Sequence, residues 1–190
     1  MTVEHEGRLT LSQRQLLLKI ARQAIEAELA GTPSGPPRVS DPALLSHRGA
    51  FVTLKIHGRL RGCIGTFAAD RPLNETVFDM AISAAFNDPR FAPLRADEFP
   101  ETEIEISALT PLKPVEADAI CVGTHGIYIV QGPYRGVLLP QVATEYGWDI
   151  ETFLDQTCIK AGLAPGCWKE PTTRIYSFSA EVFSEKSQGM

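Results

Sequence analysis

The chain of 190 residues predicts an α+β fold, mainly antiparallel sheet with flanking helices. Three observations lead there. Segments that alternate apolar and polar residues outnumber those with helical spacing. Turns and irregular loops join most of them, so no regular βαβαβ order appears. No internal repeat of a length that would signal a solenoid or propeller is visible.

The first element is an amphipathic helix over Thr10–Ala30. Leu11, Leu18, Ile25 and Leu29 recur at helical spacing, Thr10 or Ser12 can cap its start, and Gly31 with Pro33 stops it. Residues 32–42 are rich in Pro, Gly and Ser and read as an exposed connector. A strand over 49–56 follows, then a His57-Gly58 turn, then a strand over 59–67. As a two-residue hairpin this sets Leu54 opposite Arg61 and Val52 opposite Cys63. Pro72–Ala85 reads as a second helix capped by Asn74 and ended at Asp88-Pro89. Residues 101–109 alternate sharply, with Glu103 and Glu105 outward and Ile104 and Ile106 inward. Further strands are expected near Ile120, over 127–130 and over 136–139. A helical turn opens at Pro140-Gln141, and a helix capped by Asp149 ends at Gly162. The last strand is expected to run unbroken over 174–183, with Tyr176, Phe178, Ala180 and Val182 on one side.

Composition narrows the function. Hydrophobic residues make up 44% and charged residues 22%, which is ordinary for a globular protein. A net charge of −5 and scattered Lys and Arg argue against nucleic acid as the partner. No apolar run reaches the ~18–20 residues of a membrane helix, and no signal-peptide pattern opens the chain, so no membrane association is expected and the cytoplasm is the default location. The four cysteines (63, 121, 158 and 167) form no Cys-x-x-Cys pair, and the four histidines are equally dispersed. No metal site is expected, and the thiols should be reduced. The glycines match neither a dinucleotide fingerprint nor a P-loop, so no cofactor is expected.

The chemistry concentrates in Leu60-Arg61-Gly62-Cys63-Ile64-Gly65. On a regular strand Arg61 and Cys63 share a face, with Cα atoms roughly 6–7 Å apart. A guanidinium there can favour a thiolate or hold an anionic substrate, which makes Cys63 the candidate catalytic nucleophile and Arg61 a candidate binding group. Gly62 and Gly65 leave backbone open to a ligand or another segment. His125, in the Gly123-Thr124-His125-Gly126 turn, is the candidate base; the alternative is a turn residue at positive φ. Gln141, at a helix start, is a candidate substrate contact. Against these stand plain structural roles: Cys63 packed as a small buried residue, Arg61 in an ion pair with a carboxylate such as Glu105. Glu101, Glu103 and Glu105 have the period of a solvated strand face.

The same hexapeptide resembles the signature of the AMMECR domain family. The likeness continues through Asp88-Pro89-Arg90-Phe91, Glu105-Ile106-Ser107, Gly123-Thr124-His125-Gly126, Gly136–Val142, Gly147-Trp148-Asp149 and Cys158–Leu163. It implies one domain over residues 8–185, of a larger and a smaller lobe with a cleft between them. It also implies association with a Memo-type protein and a radical SAM protein in a modification pathway. Two functions follow. One is a subunit or adaptor that docks such partners; the other is a cysteine-dependent enzyme acting on a small anionic substrate through Cys63 and Arg61. Whether the chain is an enzyme is left open by the sequence.

Overall fold

A computed structural model describes residues 8–190. In chain order its main elements are α1 (Leu11–Leu29), α2 (Pro42–Leu45), β1 (Ala50–Ile56), β2 (Arg59–Thr66), α3 (Leu73–Phe86), β3 (Thr102–Leu109) and β4 (Lys113–Pro114). There follow β5 (Gly126–Gln131), β6 (Tyr134–Leu138), α4 (Pro140–Tyr146), α5 (Ile150–Lys160), β7 (Arg174–Phe178) and β8 (Ala180–Ser184). The chain forms two compact units, one from the residues up to Thr110 together with Glu181–Met190, the other Pro111–Ala180. No helix among the described residues is long and apolar enough to cross a membrane.

The first unit is a four-stranded sheet in the order β2-β1-β3-β8 with α1 and α3 packed on it. Thr10 starts α1 with a capping box, its hydroxyl accepting from the Gln13 amide while the Gln13 side chain accepts from the Thr10 amide at 2.7 Å. Leu17, Leu18, Ala21 and Ile25 then meet Val52, Leu54, Ile104 and Ile106 from the inner sheet face. Each of the larger side chains is fully buried and contributes roughly 1.5–3 kcal/mol. Outward Glu103 and Glu105 alternate with these inner positions, as the period-two pattern predicts. Two carboxylates fasten the C-terminal segment to α1: Glu181 pairs with Arg14, and also with Arg48 just before β1, and buried Glu185 pairs with Arg22.

Helix α3 starts at Leu73 with Pro72, not Asn74, at its cap. Asn74 is buried and donates to the Pro37 carbonyl at 3.2 Å, tying the 32–42 connector down. Apolar burial of the first turn outweighs the capping preference at that position.

The second unit is a four-stranded sheet in the order β4-β7-β5-β6, with the core Ile127, Ile129, Phe153, Leu154, Cys158 and Ile175 beneath α5. Gly136 lets α5 approach: a Cβ there would lie 2.5 Å from the Thr157 carbonyl oxygen. Three expectations change in this part of the chain. The segment before Ile120 is a 3-10 turn (Ala117–Ala119), not a strand. The strand expected over 174–183 breaks at Ser179, with β7 in the second sheet and β8 in the first. Nor do Tyr176, Phe178, Ala180 and Val182 form one core face: Ile175 and Phe178 are buried in β7 and Phe183 in β8, while Val182 is exposed. Finally, the thiols are not all reduced: Cys158 on α5 and Cys167 form a disulfide, with Cα atoms 6.0 Å apart. The fold brings them to bridging distance although they lie nine positions apart, a spacing that carries no motif.

Candidate functional site: the Cys63 row of the first sheet

The β1–β2 hairpin turns on His57 (φ 51°) and Gly58 (φ 74°), two positive values that suit a two-residue loop. Its first pair, Ile56 with Arg59, is as expected. The register then slips. Lys55 pairs with Leu60 and Leu54 with Gly62, so Arg61 is the extra residue of a β-bulge. A one-residue slip moves every later side chain to the other face. Cys63 therefore stands opposite Thr53, not Val52, and Gly62 and Ile64 take the core face.

Gly62 accounts for the bulge. A Cβ at that position would lie 2.1 Å from the Ala84 carbonyl oxygen, so α3 rests directly on its backbone. Only glycine fits there, and the bulge delivers it to that face. Gly65, on the Cys63 face, is covered by the Phe51 ring, which a Cβ would meet at 2.2 Å. Protein groups thus make both close approaches.

Pairing across the three strands sets Cys63, Thr53 and Glu105 in one row on the half-buried face. The Thr53 hydroxyl donates to the Cys63 Sγ at 3.2 Å. Lys55 Nζ bridges to Glu105 at 2.9 Å beside that row.

Because β2 is an edge strand, the Cys63 backbone faces outward. Its amide donates to Asp88 Oδ2 at 2.8 Å, and Arg90 donates back to its carbonyl at 3.1 Å. Pairs whose backbone groups point away from each other bring side chains closer, which suits the Thr53–Cys63 contact. Asp88 is buried and also holds the Arg90 guanidinium, through Oδ1 at 3.0 Å and Oδ2 at 2.8 Å. The Arg90 hydrogen bonds, helped by the Cys63 amide, keep the Asp88 carboxyl far below the usual range against the opposing effect of burial. Arg90 is in turn shifted up, first by Asp88 and then, more weakly, by the nearby Cys63 side chain. Through its hydrogen bond to the Cys63 carbonyl, Arg90 and not Arg61 is the cation held at Cys63.

Arg61 is engaged elsewhere. It forms a two-pronged pair with Glu98 at 2.9 and 3.0 Å and donates to the Ala92 and Pro93 carbonyls. That pairing raises the arginine and lowers the Glu98 carboxyl, each mainly through the shared hydrogen bond. The Phe91 ring lies between the two cations, 6.0 Å from Arg61 and 5.5 Å from Arg90. Arg61 and Arg90 therefore tie the Asp88–Leu94 loop to β2. Neither Asp88 nor Arg90 is among the site candidates named from the sequence; the signal that could have found them is an edge strand whose outward groups need partners.

His125 and Gln141 belong to the second unit. The Cys121 amide donates to His125 Nδ1 at 3.1 Å, and the His125 amide donates to the Cys121 carbonyl at 2.9 Å. With Nδ1 accepting, the neutral ring carries its proton on Nε2. Positive φ falls on Gly123 in that turn, not on His125. Gln141 is exposed on the first turn of α4. Among the described residues no three His, Cys, Asp or Glu side chains gather closely enough to hold a metal ion.

Set beside known proteins, residues 18–183 match the model of the AMMECR1 family. The chain belongs to that family. A relative from Methanothermobacter thermautotrophicus is 44% identical over 189 residues, covering 93% of this chain and 96% of its own. One from Thermococcus gammatolerans is 44% identical over 184 residues, covering 90% of each. The crystal structure of protein PH0010 from Pyrococcus horikoshii superposes with a TM-score of 0.72 at 42% identity, covering 90% of both chains. The AMMECR1 domain thus accounts for both units and for the α+β fold.

Proposed function

We propose that this AMMECR1-family chain is a working subunit that contributes a positioned thiol, Cys63, to a modification pathway shared with Memo-type and radical SAM proteins. One observation carries the reading. The bulge at Arg61 turns Cys63 away from the apolar core to a face where Thr53 donates to its sulfur, while Arg90 donates to its carbonyl. A cysteine serving only as filler would sit at the Gly62 or Ile64 positions, under α3. A hydroxyl donor and a guanidinium are the partners a sulfur anion uses, and β-bulges often re-aim side chains at functional sites. In this reading Arg90 takes the electrostatic role that the sequence suggested for Arg61, and Arg61 positions the loop. Gly62 and Gly65 shape the surface, and His125 and Gln141 are candidate contacts of the second unit taken by itself.

The test is co-expression of this chain, as wild type and as Cys63→Ser, with Memo-type and radical SAM proteins encoded by the same genome. Both versions are expected to co-purify with at least one of them, since the substitution removes chemistry and not surface. Failure of each protein to bind the wild-type chain at about micromolar concentration, a modest affinity for a specific complex, overturns the partnership. The second reading, a stand-alone cysteine enzyme for a small anionic substrate, rests on the exposed half of the Arg90 guanidinium. Turnover by the isolated chain of a substrate found in extracts, lost in Cys63→Ser, would establish it.

A further inference from the structure

We infer that the second unit carries a binding site for a small phosphate monoester with a flat ring, centred on Arg135 and Arg174 and independent of Cys63. The arginines that pair with carboxylates, from Arg14 to Arg95, all lie in the first unit. Arg135 and Arg174 are the two arginines of the second unit, and among the described residues neither pairs with a carboxylate.

Register places them with purpose. Val130 on β5 pairs with Arg135 on β6 and with Arg174 on β7, so the three form one row and share one sheet face. Two strand spacings, roughly 10 Å, separate the arginine backbones, a gap that two extended guanidinium side chains can close around a single anion. A hollow of about 300 Å³ lies there, lined by Val130, Gly132, Arg135, Thr172 and Arg174. Arg135 is steadied at the β5–β6 turn by the Gly132 carbonyl at 2.6 Å, and the Thr172 hydroxyl is held by Gln131 at 3.1 Å. A phosphate dianion matches two guanidinium charges and offers each a two-pronged acceptor.

The ring has a place next to it. Arg174 also lines a larger hollow of about 580 Å³ whose walls include Trp168 and Tyr176. Tyr176 shares the face of Arg174 two residues on, with the Tyr128 ring centroid 6.1 Å from its own. Glu116 and Glu170 in the same hollow can accept from ring amino groups. The opposite face of this sheet is closed by the core beneath α5, so the arginine face is the one left to bind.

Titration calorimetry of the full chain at low salt, with adenosine 5′-monophosphate, adenosine and inorganic phosphate as probes, tests this. The monophosphate should bind saturably and more tightly than either fragment. Arg174→Ala and Arg135→Ala should each weaken it about ten- to a hundred-fold, the loss expected for one charge-assisted contact. Arg174→Lys, which keeps the charge and the fold but loses the fork, should fall between. Arg59→Ala in the first unit and Cys63→Ser should leave binding unchanged, which separates this site from the thiol. Absence of saturable binding by the monophosphate at millimolar concentration overturns the inference. So does equal affinity for adenosine, or affinity unmoved by both arginine→Ala variants.

Discussion

The Asp88 carboxylate accepts the Cys63 amide at 2.8 Å while its two oxygens hold the Arg90 guanidinium at 3.0 and 2.8 Å. One buried acid thus fixes both the backbone of the thiol and the cation next to it. The edge of β2 is closed by side chains where a further strand would otherwise dock.

That arrangement makes stability depend on pH in a definite direction. Asp88 is depressed in the folded protein, so the unfolded chain binds its proton first as pH falls. Its contribution is complete above the ordinary carboxylate pKa of about 4 and is lost progressively below it. In urea titrations the wild type should lose stability between neutral pH and acid more steeply than Asp88→Asn. Asp88→Ala should cost about 1–3 kcal/mol at neutral pH, the order for leaving buried donors unpaired. Parallel curves for wild type and Asp88→Asn across that range would contradict the assignment.

Gly62 should be intolerant of any side chain. Its missing Cβ is where the Ala84 carbonyl sits, and that obstacle is helix backbone. Gly62→Ala should destabilise by about 1–3 kcal/mol, the usual cost of overpacking, measured by chemical denaturation. Gly35→Ala in the connector, where nothing lies within 4 Å, should be close to neutral.

The disulfide makes a prediction about counting. Denatured without reductant, the protein should show two reactive thiols, Cys63 and Cys121. Reduction should lower the melting temperature, with about 2–3 kcal/mol lost for a loop this short. A Cys158→Ala, Cys167→Ala double variant should melt at one temperature with or without reductant. Four reactive thiols in a freshly purified sample would contradict the pairing.

Much of the fold is legible in local pattern. The Thr10 cap of α1, the His57-Gly58 turn and the outward Glu103 and Glu105 are all decided by residues within a few positions of one another. The site is less so, because its decisive contacts are distant. Arg61 meets Glu98, 37 residues away, and Cys63 meets Asp88, 25 away. The bulge is set by a helix backbone pressing on Gly62, which no window around Leu60–Gly65 contains. The break at Ser179 is hidden for a related reason, since two short strands in different sheets can share one apolar alternation.

The central claim is that Cys63 is held on an accessible face by Thr53 and Arg90. Native-state alkylation of Cys63 at neutral pH, followed by mass spectrometry with exposed Cys121 as the internal reference, tests it most directly. The account predicts labelling of Cys63 in the folded protein, at a rate that falls in Thr53→Val and in Arg90→Gln while that of Cys121 stays the same. Labelling of Cys63 only after denaturation, or a rate that neither substitution moves, would contradict it.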